Sequence, residues 1–137
     1  MKRSIIGNQA VAYGALAAGI DVAAGYPGTP SSEALTELLH FSRTADRGGE
    51  PSPYVEWSVN EKVAFELATG AAWAGKRALA TMKMSGANVA ADSILSVAYS
   101  GTRGGLVCGC RSLSPGACPL YAASLPQGAL AGSADVC

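Results

Sequence analysis

Residues 54–82 read YVEWSVNEKVAFELATGAAWAGKRALATM, and this stretch decides the fold. Its first four residues are typical of a strand. Residues 59–74 place Val63, Leu67, Ala68 and Ala71 on one helical face, and residues 77–82 form a second apolar strand. A strand, a helix and a strand in this order predict a βαβ unit with parallel strands.

The same alternation continues on both sides of this unit. Strands are predicted at residues 21–26, 54–57, 77–82 and from 105 onward, and helices at residues 7–18, 30–43, 59–74 and 85–99. This pattern predicts an α/β fold with an open, mostly parallel sheet covered by helices on both faces. Ligands of such folds bind at the carboxyl ends of strands, so the turns at 26–30, 57–61 and 82–86 are the candidate site.

Composition excludes several classes of function. The chain has 137 residues with ten basic and ten acidic side chains, whereas a nucleic-acid-binding protein needs a basic excess. No apolar run approaches the roughly 20 residues that span a membrane, and no leader follows Met1, so we expect a cytoplasmic protein. Only 15% of residues are charged, against about 25% in typical domains, which indicates surfaces covered by a partner.

Two of the candidate turns also have ordinary structural explanations. Thr29 and Pro30 suit the N-cap and first position of a helix. Ser58-Val59-Asn60-Glu61 matches a capping box, in which Glu61 would bond back to the Ser58 amide. From the residues alone, the chain is an α/β domain with a candidate site and no named reaction.

The sequence gives little support for a metal site or a catalytic triad. His40 is the only histidine, so neither a Ser-His-Asp triad nor a histidine-based metal site is expected. The cysteines have spacings that fit neither ferredoxin nor zinc motifs: Cys108, Cys110, Cys118 and Cys137. We therefore predict no metal site in this chain.

Several strings in order resemble one family. They are Gly7-Asn8 before an Ala-rich helix, AAGYPGTPSSE (23–33), YVEWSVNEKVAFE (54–66), RALATMKMSGANVAAD (77–92) and YSGTRGGLV (99–107). Over residues 5–107 they resemble the amino-terminal, pyrimidine-binding domain of 2-oxoacid:ferredoxin oxidoreductases. GYPGTPSSE and EWSVNEK are most similar to the large subunit of the indolepyruvate type.

The resemblance implies thiamine diphosphate chemistry. Enzymes of this family oxidatively decarboxylate a 2-oxoacid, here of the arylpyruvate type, to an acyl-coenzyme A. Electrons leave through iron–sulfur clusters to ferredoxin. The resemblance also implies that Mg²⁺ and the clusters are bound by other domains or another subunit, so this chain would supply half of a cofactor site.

The resemblance assigns roles to residues of the three turns. Glu61 of the NEK string aligns with the glutamate that hydrogen-bonds the aminopyrimidine ring and favours its imino tautomer. Glu56, on a strand, and Glu66, more than a turn into a helix, are the less suitable competitors. Thr29 aligns with the threonine that approaches the substrate carboxylate.

Further assignments in the third turn are weaker. Lys83, Ser85 and Asn88 align with positions at which members of the family contact the cofactor or the partner domain. Met84 stands where indolepyruvate-type relatives commonly have His, which leaves the identity of the 2-oxoacid open.

The resemblance stops after Val107, where the family continues with an apolar strand, an Ala-Asp-Asp-Pro type turn and an arginine that helps bind substrate. Residues 108–137 read CGCRSLSPGACPLYAASLPQGALAGSADVC instead. Codons for Cys-Gly-Cys-Arg, read one base later, can encode Val-Ala-Ala followed by Asp, which suggests a frameshift. A divergent tail is the alternative. We therefore divide the chain into an incomplete pyrimidine-binding domain, 1–107, and an altered tail, 108–137.

Two other functions remain open at this point. The chain could be the pyrimidine domain of another thiamine-dependent 2-oxoacid decarboxylase, which ferredoxin reduction by the intact gene product would distinguish. It could also be an inert truncated remnant that at most packs against other subunits. Calorimetry of thiamine diphosphate binding by the purified chain would test that.

Overall fold

The computed structural model describes residues 4–44 and 51–111, and the backbone of 120–123. The helices are α1 (Gly7–Ala17), α2 (Ser32–Thr44), α3 (Glu61–Trp73) and α4 (Ala91–Ser100). The strands are β1 (Val22–Gly25), β2 (Tyr54–Trp57), β3 (Ala78–Lys83), β4 (Leu106–Arg111) and β5 (Leu120–Ala123). Their alternation along the chain confirms the predicted βαβ pattern.

The five strands form one sheet in the order β2-β1-β3-β4-β5. The pairings among β1 to β4 are parallel, and β5 pairs antiparallel with β4. Gly25 lies opposite both Trp57 and Thr81, and Lys83 lies opposite Arg111. The carboxyl ends of four strands therefore meet at one edge of the sheet, as the mostly parallel prediction requires.

Helices cover both faces of the sheet, and β3 shows why. Its burial is nearly continuous, which is typical of a strand enclosed on both sides. Ala80 and Met82 join a core with Phe65 of α3 and Val97 of α4. Leu79, on the opposite face, joins a second core with Ala12 of α1 and with Leu35 and Leu38 of α2.

Strand β4 continues past Val107 into the segment that was predicted to be an altered tail. Cys108 and Cys110 are buried in the core, and their sulfur atoms lie 3.4 Å apart. The hydrogen bond with Cys110, together with burial, raises the pKa of the Cys108 thiol well above its usual range. Cys118 and Cys137 lie outside the described residues. Within the ranges given above, no three His, Cys, Asp or Glu side chains gather as a metal site would require.

Both ordinary explanations of the turns prove wrong. Helix α2 begins at Ser32, so Thr29 lies in the preceding turn and does not cap it. Helix α3 is capped by Asn60, whose side chain accepts a 2.8 Å hydrogen bond from the Val63 amide. The Ser58 amide instead donates to the Gly25 carbonyl at 2.8 Å, which ties Ser58 to the sheet. Glu61 is thus the first residue of α3, and the capping box does not form.

The predicted helix at 85–99 is divided. A 3₁₀ turn spans Met84–Asn88, and α4 starts only at Ala91. Glycine and asparagine are poor helix formers, which suits Gly86 and Asn88 to such a turn. None of the helices in the described ranges is both long and apolar enough to cross a membrane.

Candidate functional site

The three turns predicted from the sequence converge at the carboxyl edge of the sheet. Backbone hydrogen bonds hold them there: the Ser58 amide donates to Gly25, and the Tyr26 amide donates to Thr81 at 3.3 Å. A Cβ added to Gly28 would lie 3.0 Å from Cδ of Lys83, so the first turn packs against the third. The parallel sheet therefore brings residues distant in sequence into one site.

Glu61 is buried at this edge, with only 6% of its surface exposed. The backbone of Gly86, in the 3₁₀ turn, lies directly against it. A Cβ added to Gly86 would be 2.5 Å from Oε1 of Glu61 and 2.6 Å from its Cγ. Glycine at position 86 is therefore what leaves room for the carboxylate.

Glu61 differs from its two competitors in its surroundings. Glu56 accepts hydrogen bonds from the Tyr54 and Ser58 hydroxyls. Glu66 is exposed, accepts a 2.8 Å hydrogen bond from Ser93 and pairs with Lys62. No residue in the described part of the chain donates a hydrogen bond to Glu61. Its two carboxylate oxygens are therefore available to accept a hydrogen bond from a ligand that donates one.

A groove of about 730 Å³ opens beside the same 3₁₀ turn. Its polar lining is Thr29, Lys83, Ser85, Asn88 and Arg111, and its apolar lining is Pro30, Met84, Ala87, Ala91, Ile94 and Leu95. The substrate-binding candidate, Thr29, and the three weaker candidates thus lie together: Lys83, Ser85 and Asn88. Glu61 contacts the turn at Gly86 but does not line the groove.

The groove is positively charged. Lys83 and Arg111 end neighbouring strands and are aligned in the β3–β4 pairing. Neither forms an ion pair with a carboxylate of the described residues, and no acidic side chain is among the lining. Two cations beside an apolar wall favour an anion with an apolar body.

Arg111 and Gly86 are site residues that the sequence analysis missed. Arg111 belongs to the segment set aside as a tail, and only its place at the end of a strand parallel to β3 could have indicated it. Gly86 was quoted within a motif without a role. Gly86 lies inside the predicted helix 85–99, and a glycine in such a position often marks a packing or functional requirement.

Known proteins are similar to this chain in sequence and in fold. A family model described as pyruvate flavodoxin/ferredoxin oxidoreductase, thiamine diphosphate-binding, matches residues 13–125. The indolepyruvate oxidoreductase subunit IorA of Archaeoglobus fulgidus is 57% identical over 103 residues, covering 75% of this chain and 16% of that protein. The IorA subunit of Pyrococcus abyssi is 52% identical, covering 75% and 15%.

The chain therefore spans about a sixth of the length of these relatives. A solved 2-oxoglutarate:ferredoxin oxidoreductase from Magnetococcus marinus, with 2-oxoglutarate, coenzyme A and succinyl-CoA bound, shares the fold. Its TM-score is 0.63 at 22% identity, covering 84% of this chain and 19% of that one. The sequence comparisons agree with the resemblance found in the motifs, and the structural comparison shows the fold. The chain belongs to the thiamine diphosphate-binding domain family of the pyruvate flavodoxin/ferredoxin oxidoreductases.

Proposed function

We propose that this chain is the pyrimidine-binding part of an arylpyruvate-type, most nearly indolepyruvate-type, 2-oxoacid:ferredoxin oxidoreductase of the cytoplasm. The observation that carries the proposal is Glu61, a residue only 6% exposed, which lies against Gly86 at the carboxyl edge of the sheet and has no hydrogen-bond donor among the described residues. The 57% identity to an indolepyruvate oxidoreductase subunit supports this substrate type over other 2-oxoacids.

The residues present fit the pyrimidine half of thiamine diphosphate. Glu61 would accept a hydrogen bond from a ring nitrogen and hold the shared proton on its carboxylate. Thiamine diphosphate, when bound, supplies the carbanion chemistry of 2-oxoacid decarboxylation. Gly86 keeps the carboxylate seated at the first position of α3, where the helix N-terminus stabilises negative charge.

We assign the groove to the substrate. Thr29, Lys83 and Arg111 would bind the carboxylate, because a hydroxyl-bearing and two cationic residues line the groove without a competing acid. Met84, Ile94 and Leu95 form an apolar wall suited to an aryl side chain. Ser85 and Asn88 would contact the cofactor or the partner domain.

The rest of the reaction belongs to parts outside this chain. We propose that Mg²⁺, the iron–sulfur clusters, coenzyme A and ferredoxin are bound by other domains or another subunit. We also propose that residues 1–107 carry the pyrimidine-binding function and that residues 108–137 form a divergent tail, of which the family model still matches residues 108–125. In that case Arg111 takes the place of the family's substrate-binding arginine.

The substrate assignment predicts a specific effect of Arg111→Gln. In the complete oxidoreductase carrying this chain, loss of one charge-assisted contact should raise KM for the arylpyruvate by about 10- to 100-fold. The measurement is 2-oxoacid-dependent reduction of a viologen dye. Arg103→Gln is the matched control, because Arg103 is exposed and does not line the groove. An unchanged KM for Arg111→Gln would contradict the assignment.

The proposal also predicts the behaviour of the 137-residue chain alone. It should bind thiamine diphosphate weakly and show no 2-oxoacid-dependent dye reduction, because the proposed site is only half of the cofactor's. Isothermal calorimetry with and without Mg²⁺ measures the binding. Micromolar, Mg²⁺-dependent affinity would contradict the proposal that this chain supplies only half of the cofactor site. The same result would exclude an inert remnant.

A further inference from the structure

We propose that Asn8, at the start of α1, is a positioning residue that holds Thr29 at the mouth of the groove. The inference rests on the proposed role of Thr29 in binding the substrate carboxylate. Asn8 itself is not among the residues that line the groove. Its action on the substrate would therefore be indirect, through the backbone of the turn that carries Thr29.

The Asn8 side chain is buried, with 8% of its surface exposed, and it reaches across to the Thr29 turn. Its amide nitrogen donates to the Pro30 carbonyl oxygen at 2.6 Å and to Oε2 of Glu33 at 2.8 Å. Both partners are acceptors, so the amide can face them only with its NH₂ group. The bond to the Pro30 carbonyl fixes the Pro30–Ser31 peptide, one residue after Thr29.

The remaining side-chain hydrogen bonds of the turn are local in sequence. The Ser32 hydroxyl accepts a hydrogen bond from the Gly28 amide, and the Ser31 hydroxyl donates to the Gly28 carbonyl, each at 2.8 Å. These bonds fix the residue before Thr29. Among the side-chain bonds of the described residues, that of Asn8 joins the turn to α1, whereas the Ser32 bond joins it to α2, the helix that follows directly. Asn8 therefore ties the Thr29 end of the turn to α1, beside the backbone bond from Tyr26 to Thr81 at its other end, while the serines set its internal shape.

The other half of the Asn8 amide indicates that stability is not its main contribution. Its Oδ1 atom is buried and has no hydrogen-bond partner in the described part of the chain. An unpaired buried acceptor costs free energy that offsets much of the gain from the two donated bonds. Loss of the side chain should thus affect the position of Thr29 more than the folding of the domain.

The test uses Asn8→Ala in the complete oxidoreductase carrying this chain. We expect KM for the arylpyruvate to rise roughly tenfold, because a displaced substrate ligand weakens binding. The kcat at saturation and the affinity for thiamine diphosphate should stay within about twofold. A role in folding alone would not produce this split, since it would lower the amount of active enzyme and leave KM unchanged.

Glu33→Gln is the matched control. It keeps an oxygen that can accept from Asn8 and leaves the Pro30 bond intact, so its KM should be close to normal. Asn8→Ser is the second variant, because serine is too short to bridge to Pro30 but is well tolerated near a helix start. A normal KM in either folded Asn8 variant overturns the proposal, as does a parallel fall of kcat and cofactor affinity.

Thr29→Val separates this inference from the proposed function on which it rests. If Thr29→Val raises KM and the Asn8 variants do not, the role of Asn8 is wrong and that of Thr29 stands. If Thr29→Val leaves KM unchanged, the assignment of the substrate to Thr29 fails, and the positioning role fails with it. A rise of KM in Thr29→Val and both Asn8 variants supports both.

Discussion

Replacing Glu61 with Gln is expected to slow both exchange of the thiazolium proton and turnover by about 100-fold or more, or ~2.7 kcal/mol of transition-state stabilisation. Glutamine has nearly the same shape and still hydrogen-bonds, but it cannot hold the proton shared with the aminopyrimidine. The measurement is hydrogen–deuterium exchange at the cofactor in the complete enzyme carrying this chain, beside thermal unfolding of the same variant.

The surroundings of the three glutamates supply the controls. Glu56→Gln should leave exchange largely intact, because Glu56 is bonded to the Tyr54 and Ser58 hydroxyls. Glu66→Gln should do the same, because Glu66 is exposed on α3. If Glu61 only stabilises the N-terminus of α3, its replacement should lower stability by about 0.3–1 kcal/mol and leave thiazolium proton exchange normal. A lowered melting temperature with an unchanged exchange rate would remove Glu61 from catalysis.

Most of the fold follows from local patterns in the sequence. Strand β2 has the predicted bounds, Tyr54–Trp57, and β1 and β3 lie within a residue or two of theirs. Short apolar runs closed by glycine and proline signal buried parallel strands clearly. The sharing of one edge by the strand ends then follows from the parallel direction of the strands, whereas the strand order β2-β1-β3-β4-β5 is known only from the structure.

The helix starts were harder to predict because several capping residues stand side by side. Ser58 and Asn60 are both good N-caps, and the glutamate three residues after Ser58 favoured the wrong one. The deciding contact is the Ser58 amide on the Gly25 carbonyl, which joins residues far apart in sequence. Local periodicity carries no information about such a contact.

Local patterns likewise cannot predict the parts of the site that depend on long-range contacts. Motifs identified Glu61 and Thr29, and their placement at the carboxyl edge agrees with the prediction. The contributions proposed for Asn8, Gly86 and Arg111 rest on tertiary contacts: with the Pro30 carbonyl, with the Glu61 side chain and across the β3–β4 pair. Each would read as an ordinary helix, loop or tail residue from sequence alone.

Gly86→Ala is expected to disturb the site almost as much as a change of Glu61 itself. The new Cβ would lie 2.5 Å from Oε1, 2.6 Å from Cγ and 2.8 Å from Cδ of Glu61, so the carboxylate or the 3₁₀ turn must move. We expect thiazolium proton exchange to fall by about 10- to 100-fold, since small displacements of a catalytic group cost this much. Overpacking should also lower stability by about 1–3 kcal/mol.

Gly70→Ala is the matched control for the glycine substitution. Gly70 lies within α3, and a Cβ there would meet nothing within 4 Å. That substitution should raise stability by about 0.5–1 kcal/mol and leave exchange unchanged. Gly86 is not among the glycines with positive φ in the described residues, so any loss in Gly86→Ala comes from the collision and not from backbone strain.

The double variant Glu61→Gln/Gly86→Ala tests whether the two residues act together. If Gly86 serves only to seat the Glu61 carboxylate, Gly86→Ala should add little to the loss of exchange already caused by Glu61→Gln. Groups in direct contact are expected to be non-additive in this way, whereas independent sites add their effects. Losses that multiply in the double variant would show that Gly86 acts on the cofactor site by another route. A normal exchange rate in Gly86→Ala alone would show that the carboxylate has room to move without loss of function.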